Sequence, residues 1–261
     1  MIVNKPSEEC RRGFTLVEML VVIVIIGILA GLITAAALRA RTRARIALIV
    51  LEVSELDAAC KAFKEKFGEY PPDGGDAAAT ARFVKRAFPR FTGTVPATMA
   101  PTPEKALVVW LGGVQPTVGR PNGFSADPAD PFNATATGRI LPFFDFDAPR
   151  IKTNTYWPPG VTLDTATVTA SKAGYVYFRA ENGDYPNKIS TTGAVPMKDG
   201  RGGTTTSPWM NPGSFQILAC GLDGKWGSPG AASFGVGTNY KPEDFDNITN
   251  FSNGTLEDAI P

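Results

Sequence analysis

Hydrophobic residues fill positions 14–38 almost without interruption: FTLVEMLVVIVIIGILAGLITAAAL is 25 residues long and carries one charge, Glu18. At about 1.5 Å per residue such a helix exceeds the ~30 Å hydrocarbon core of a bilayer. Beyond Leu38 the hydrophobic residues thin out but keep a helical period. Ile46, Ile49, Val50, Val53, Leu56, Cys60, Phe63 and Phe67 recur at steps of three and four, while Glu52, Glu55, Asp57, Lys61 and Lys64 occupy other faces. Gly68 then offers a C-cap and Pro71-Pro72 bars continuation. The spacing predicts one helix over residues 14–67, apolar all round in its first half and amphipathic in its second.

After the turn at Tyr70-Pro71-Pro72-Asp73-Gly74 the pattern breaks into short pieces. Residues 81–88 and 104–111 read as helices, and short strands are expected near 140–146. Residues 114–170, rich in Pro, Gly, Thr and Asp, read as long loops. The segments YVYF at 175–178 and FQILA at 215–219 have strand composition between glycine- or proline-bearing flanks. The expected fold is α+β: a long N-terminal helix packed on a small antiparallel sheet with long loops. The chain divides into 1–13, a polar leader; 14–38, a membrane-spanning half-helix; 39–69, its amphipathic continuation; and 70–261, a globular domain.

Composition narrows the chemistry. Histidine is absent, which removes the commonest general base and zinc ligand, and the net charge of +1 gives no nucleic-acid footprint. No enzyme is expected. The carboxylates of Asp145 and Asp147, in an aromatic setting, are the candidates for acid–base work if that expectation fails. Cys10 lies in the leader, leaving Cys60 and Cys220 as either a disulfide in an oxidising compartment or two buried thiols. One pair does not make a disulfide framework, which favours the thiols.

The leader ends in Arg11-Arg12-Gly13. A secretory signal would have a shorter apolar region with the small residue after it; here Gly13 precedes the run. Cleavage after Gly13 would create an α-amine on Phe14, one turn from Glu18. A carboxylate in a bilayer segment costs roughly 2.5–3.5 kcal/mol, so Glu18 calls for a partner or for a place near the interface. Arg11-Arg12-Gly13-Phe14-Thr15-Leu16-Val17-Glu18 resembles the class III leader junction of type IV pilins and type II secretion pseudopilins. The resemblance implies cutting after Gly13 by a prepilin peptidase, methylation of Phe14, and assembly through Phe14 and Glu18. It also implies insertion in the inner membrane with the C-terminal domain periplasmic. The partners implied are copies of the chain, other pseudopilins, an inner-membrane assembly platform and the lipid bilayer. Charge counting does not supply this orientation: Lys5, Arg11 and Arg12 flank one end of the span, and Arg39, Arg41, Arg43 and Arg45 the other. Gly27, Ala30 and Gly31 would let neighbouring helices approach closely.

The Tyr70-Pro71 turn is similar to the one that follows the long helix in many pseudopilins. Strand 215–219, the Gly221-Leu222-Asp223-Gly224 turn and the returning Glu243-Asp244-Phe245-Asp246-Asn247 segment resemble the end of the major pseudopilin of type II secretion. There the corresponding loop binds calcium, which implies Asp223, Asp244 and Asp246 as ligands here, with Glu243 in reserve. Calcium takes six to eight oxygens, and the spacing is not that of an EF-hand. From the residues alone, Asp223-Gly224 is equally a plain turn. The function expected is a structural subunit of a secretion pseudopilus. The alternatives are a type IV pilin of a surface fibre and a membrane-anchored extracellular enzyme.

Overall fold

A computed structural model describes residues 15–99, 101–114, 120–161, 174–187, 190, 193–201, 207–227, 233–237 and 240–261. The chain separates into two units, Met1–Ala44 and Arg45–Pro261. Helix α1 runs through both, from Leu16 to Phe67. Its bounds match the periodicity: Thr15 begins it, and Gly68 (φ +83°) ends it with its N–H on the Lys64 carbonyl at 2.7 Å. Gly68 takes a left-handed conformation that a Cβ would strain.

In the first unit every helical residue is exposed, including a continuous series of large apolar side chains from Leu16 to Leu38. The helix is long and apolar enough to cross a membrane. Gly27 and Gly31 face open space: among the described residues nothing lies within 4 Å of a Cβ placed on either, so no contact with a described residue requires glycine there.

The second unit begins with the amphipathic half of α1. Ile49, Val53, Leu56, Ala59, Cys60 and Phe63 form its buried stripe. Against them packs an aromatic core. Phe63 meets the rings of Phe67, Phe83, Trp110 and Phe143 at centroid distances of 4.6–6.4 Å. Helix α2, Ala77–Ala87, starts where Asp76 accepts the Ala78 N–H at 2.7 Å, and it supplies Phe83 and Val84 to this core. Helix α3, Ala106–Gly112, is buried along its whole length. Both lie within a few residues of the expected helices.

Strands β1 (Phe124–Ser125) and β2 (Arg139–Ile140) pair antiparallel, as do β3 (Ile151–Lys152) and β4 (Thr155–Tyr156). The expected strand near 140–146 shrinks to Arg139–Ile140; Phe143, Phe144 and Phe146 are spent on core packing instead. The principal sheet has the order β5-β7-β9, antiparallel throughout: Tyr175–Arg179, Phe215–Ala219 and Ile248–Thr249. Successive side chains point to opposite faces. Tyr175, Tyr177, Phe215, Ile217 and Ala219 join the core with α1. Val176, Phe178 and Leu218 enter a second core with Tyr185, Met197, Phe234, Tyr240 and Leu256. The sheet is therefore covered on both faces, which is why consecutive residues of β5 and β7 are buried rather than alternating with exposed ones. The remaining pair, β6 (Lys198–Asp199) with β8 (Ser233–Phe234), is parallel, a departure from the expected antiparallel arrangement.

Candidate functional site

The N-terminal site is built on the first turn of α1. Four N–H groups at a helix start lack intrahelical partners. Thr15 and Glu18 answer this reciprocally. The Glu18 N–H donates to Thr15 Oγ1 at 3.2 Å, while the Thr15 N–H and hydroxyl both donate to Glu18 Oε2 at 2.8 Å. This is a capping box, Thr-x-x-Glu, one turn past the predicted cleavage point. It gives the lone acid of the span hydrogen-bond donors from its own chain. Gly13 and Phe14 lie outside the described residues, as does Cys10.

The second site is the loop that closes the domain. Gly221 and Gly224 both have positive φ, +63° and +68°. A Cβ at Gly221 would collide with the Asp246 carboxylate, so glycine is required for the close approach. Through that gap Asp246 Oδ2 accepts the N–H of Leu222 at 2.7 Å and of Asp223 at 3.1 Å. Asp244 accepts the Gly227 N–H at 3.0 Å and the Asn247 side-chain amide at 3.2 Å on Oδ1, and the Lys241 N–H at 2.9 Å on Oδ2. Asp223 turns back on the Lys225 N–H at 2.8 Å. The returning segment is thus clamped to the turn by carboxylate-to-backbone bonds.

This loop partly fits a cation. Asp246 Oδ1 and Asn247 Oδ1 are buried without a hydrogen-bond partner among the described residues, which leaves two oxygens available. Burial first, and then the neighbouring acids, push the carboxyls of Asp223 and Asp246 above the usual range; Asp246 acts on Asp223, and Asp244 on Asp246. A cation would relieve that repulsion. Against this, no three His, Cys, Asp or Glu side chains among the described residues form a metal-holding group. Asp244 has both oxygens committed to the clamp.

The other candidates lie apart from these sites. Cys60 and Cys220 are both buried and no disulfide joins them, and burial raises the Cys60 thiol well above its ordinary value. Asp145 is an exposed partner of Arg120 at 2.9 Å, and the Asp147 N–H meets the Tyr156 hydroxyl at 3.4 Å.

One cluster escaped the sequence reading, which put Glu52 on a polar face of α1. Its side chain is only 12% exposed. Glu52 Oε1 accepts from Arg150 Nη1 and from the Tyr156 hydroxyl, each at 2.8 Å, and Oε2 accepts from Arg150 Nη2 and the Tyr175 hydroxyl. The Arg150 guanidinium also lies 4.4 Å from the centre of the Tyr156 ring and donates to the Trp157 carbonyl. The signal available in the sequence was position: Glu52 sits one residue before the buried Val53. No local pattern points to Arg150.

The family model described as a prokaryotic N-terminal methylation motif matches residues 10–34. No curated protein and no solved structure matches the chain. The matched segment contains the Arg-Arg-Gly-Phe junction, the capping box and most of the apolar run. The N-terminus therefore carries a type IV pilin-like leader and fits a membrane-anchored, single-pass protein. That motif marks pilin-like structural subunits rather than enzymes.

Proposed function

We propose that this chain is a structural subunit of a type II secretion pseudopilus. Prepilin peptidase cuts it after Gly13, Phe14 is methylated, and the subunit waits in the inner membrane with residues 45–261 in the periplasm. An assembly platform then extracts it into a helical filament of its own copies and other pseudopilins. The observation that carries this is the first unit: a fully exposed apolar helix beneath a methylation leader, with one capped acid at its start. Such a surface is stable only in lipid or against other helices. The test is the intact mass of the mature protein from cells. The expected mass corresponds to a chain beginning at Phe14 with one methyl group on its amine; retention of Met1 rejects the proposal.

A secretion pseudopilus is favoured over a surface fibre by the C-terminal loop, whose Gly-Leu-Asp-Gly turn is closed by a returning aspartate. Accumulation of secreted enzymes in the periplasm of a deletion strain supports the secretion reading. Loss of surface fibres with secretion intact supports the type IV pilin.

Calcium belongs to the same proposal. Asp223 and Asp246 would hold it, with Asn247 Oδ1 as a neutral oxygen, and Asp244 would keep the loop closed around them. The ion would supply charge neutralisation and no bond-making chemistry. In its absence the raised carboxyl pKa values favour the protonated fold. That contribution is complete below the unfolded value near 3.8 and is lost as pH rises through the folded values. Calcium should therefore raise the Tm of the wild type at neutral pH and do little below about pH 4. Asp246→Asn should abolish the calcium shift. A wild-type Tm indifferent to calcium at neutral pH removes the ion from the account.

A further inference from the structure

The apolar surface of α1 ends abruptly. From Leu16 to Leu38 the helix extends ~34 Å, close to the thickness of a hydrocarbon core. The next residues are Arg39-Ala40-Arg41-Thr42-Arg43-Ala44-Arg45. Arg39, Arg41 and Arg43 are exposed; Arg45 is half-buried, its stem 3.5 Å from where a Cβ on Gly160 would lie. None of the four forms an ion pair with a described acidic side chain. The next acid along the helix, Glu52, is taken by Arg150. At about 100° per residue, Arg39 and Arg43 lie on one side of the helix, and Arg41 and Arg45 on the opposite side. The four span ~9 Å of axis, comparable with the headgroup layer that flanks the core.

We propose that these four arginines form a collar that binds anionic phospholipid in the headgroup layer at the carboxyl-terminal end of the span. The inference requires only that the helix crosses a bilayer; filament assembly and secretion are not needed for it. Guanidinium groups match phosphate oxygens bidentately, and long arginine stems reach along an apolar helix to do so. The depth of the collar coincides with the end of the apolar run, which is a bilayer dimension. Its distribution also selects the occupant. An acidic face on a neighbouring subunit would meet one side of the helix, whereas lipid reaches Arg39, Arg41 and Arg43 on both sides and Arg45 where Gly160 leaves it open. Near an anionic surface each cation is worth about a fivefold preference, so the four together give a large one.

The test uses the full chain in nanodiscs made from equal parts phosphatidylcholine and phosphatidylglycerol. Lipids that stay bound on release into detergent are counted by native mass spectrometry. The wild type is expected to retain phosphatidylglycerol over phosphatidylcholine, with the preference falling at high salt. Changing Arg39, Arg41, Arg43 and Arg45 together to Gln should cut the preference at least about tenfold. Changing Lys61, Lys64 and Lys66 to Gln should leave it. The Arg39/Arg43 and Arg41/Arg45 double variants should each lose part. Equal preference in the wild type and the quadruple variant overturns the collar. So does an effect confined to one double variant, which would mean that only one side of the helix holds lipid. Carbonate-resistant membrane association, measured in parallel, reports separately on whether the helix is inserted at all.

Discussion

Glu52→Ala is expected to lower the stability of the globular unit by about 3–5 kcal/mol, the cost of leaving one member of a buried ion pair without its partner. The carboxylate receives four hydrogen bonds, from Arg150 twice and from Tyr156 and Tyr175 once each. Alanine would strand the Arg150 guanidinium, 19% exposed, and both phenols in a site too enclosed for water to replace every bond. Charge screening offers little relief at that burial. A loss of this size is a large share of the ~5–15 kcal/mol that folded domains possess, and corresponds to roughly 10 °C in Tm for a unit of this length. Glu52→Gln should cost less, because its carbonyl still accepts from one tyrosine, but it sets an amide against the guanidinium. Thermal unfolding of the detergent-solubilised chain followed by circular dichroism checks both. A Glu52→Ala Tm within about 2 °C of wild type would mean that the network contributes almost nothing.

Filament formation should fall at least tenfold in Glu18→Leu, with the amount of membrane-inserted subunit unchanged or higher. The direction follows from two states. In the single subunit, Thr15 already provides donors to the carboxylate, and a leucine removes the remaining cost of placing a charge in lipid. In the filament, the carboxylate is expected to face a positive terminal amine, and leucine removes that attraction. The substitution therefore stabilises the starting state and destabilises the assembled one. Glu18→Ala should act in the same direction. Quantifying sheared filaments against the membrane fraction reads the two states separately, and wild-type filament yield from Glu18→Leu would remove charge neutralisation from the assembly step.

The elements legible in advance are those whose signal is local. α1 was readable to within two residues because its period lies inside the element and its stop signal, Gly68, directly follows it. The strand at Phe215–Ala219 was readable from its composition and flanks. The half-helix long and apolar enough to cross a membrane needed only length and hydrophobicity to be seen. The β6–β8 pair was not readable: two-residue strands carry too little pattern, and parallel pairing depends on what lies between them.

The acidic positions divide the same way. Glu18 could be singled out because a charge within a long apolar run is conspicuous without any partner being known. Asp223, Asp244 and Asp246 were visible as a group, but tertiary structure decided which oxygens close the loop onto backbone N–H groups and which stay unpaired. Glu52 looked like an ordinary polar-face residue; Arg150, 98 positions away, converts it into the pin of the domain. By itself the sequence determined the long helix, its membrane-length apolar half and its pilin-like methylation motif, since backbone periodicity and transfer from water act over a few neighbouring residues. Tertiary structure alone decided the roles of the buried charges, because a charge leaves water only where distant parts of the chain supply its hydrogen bonds.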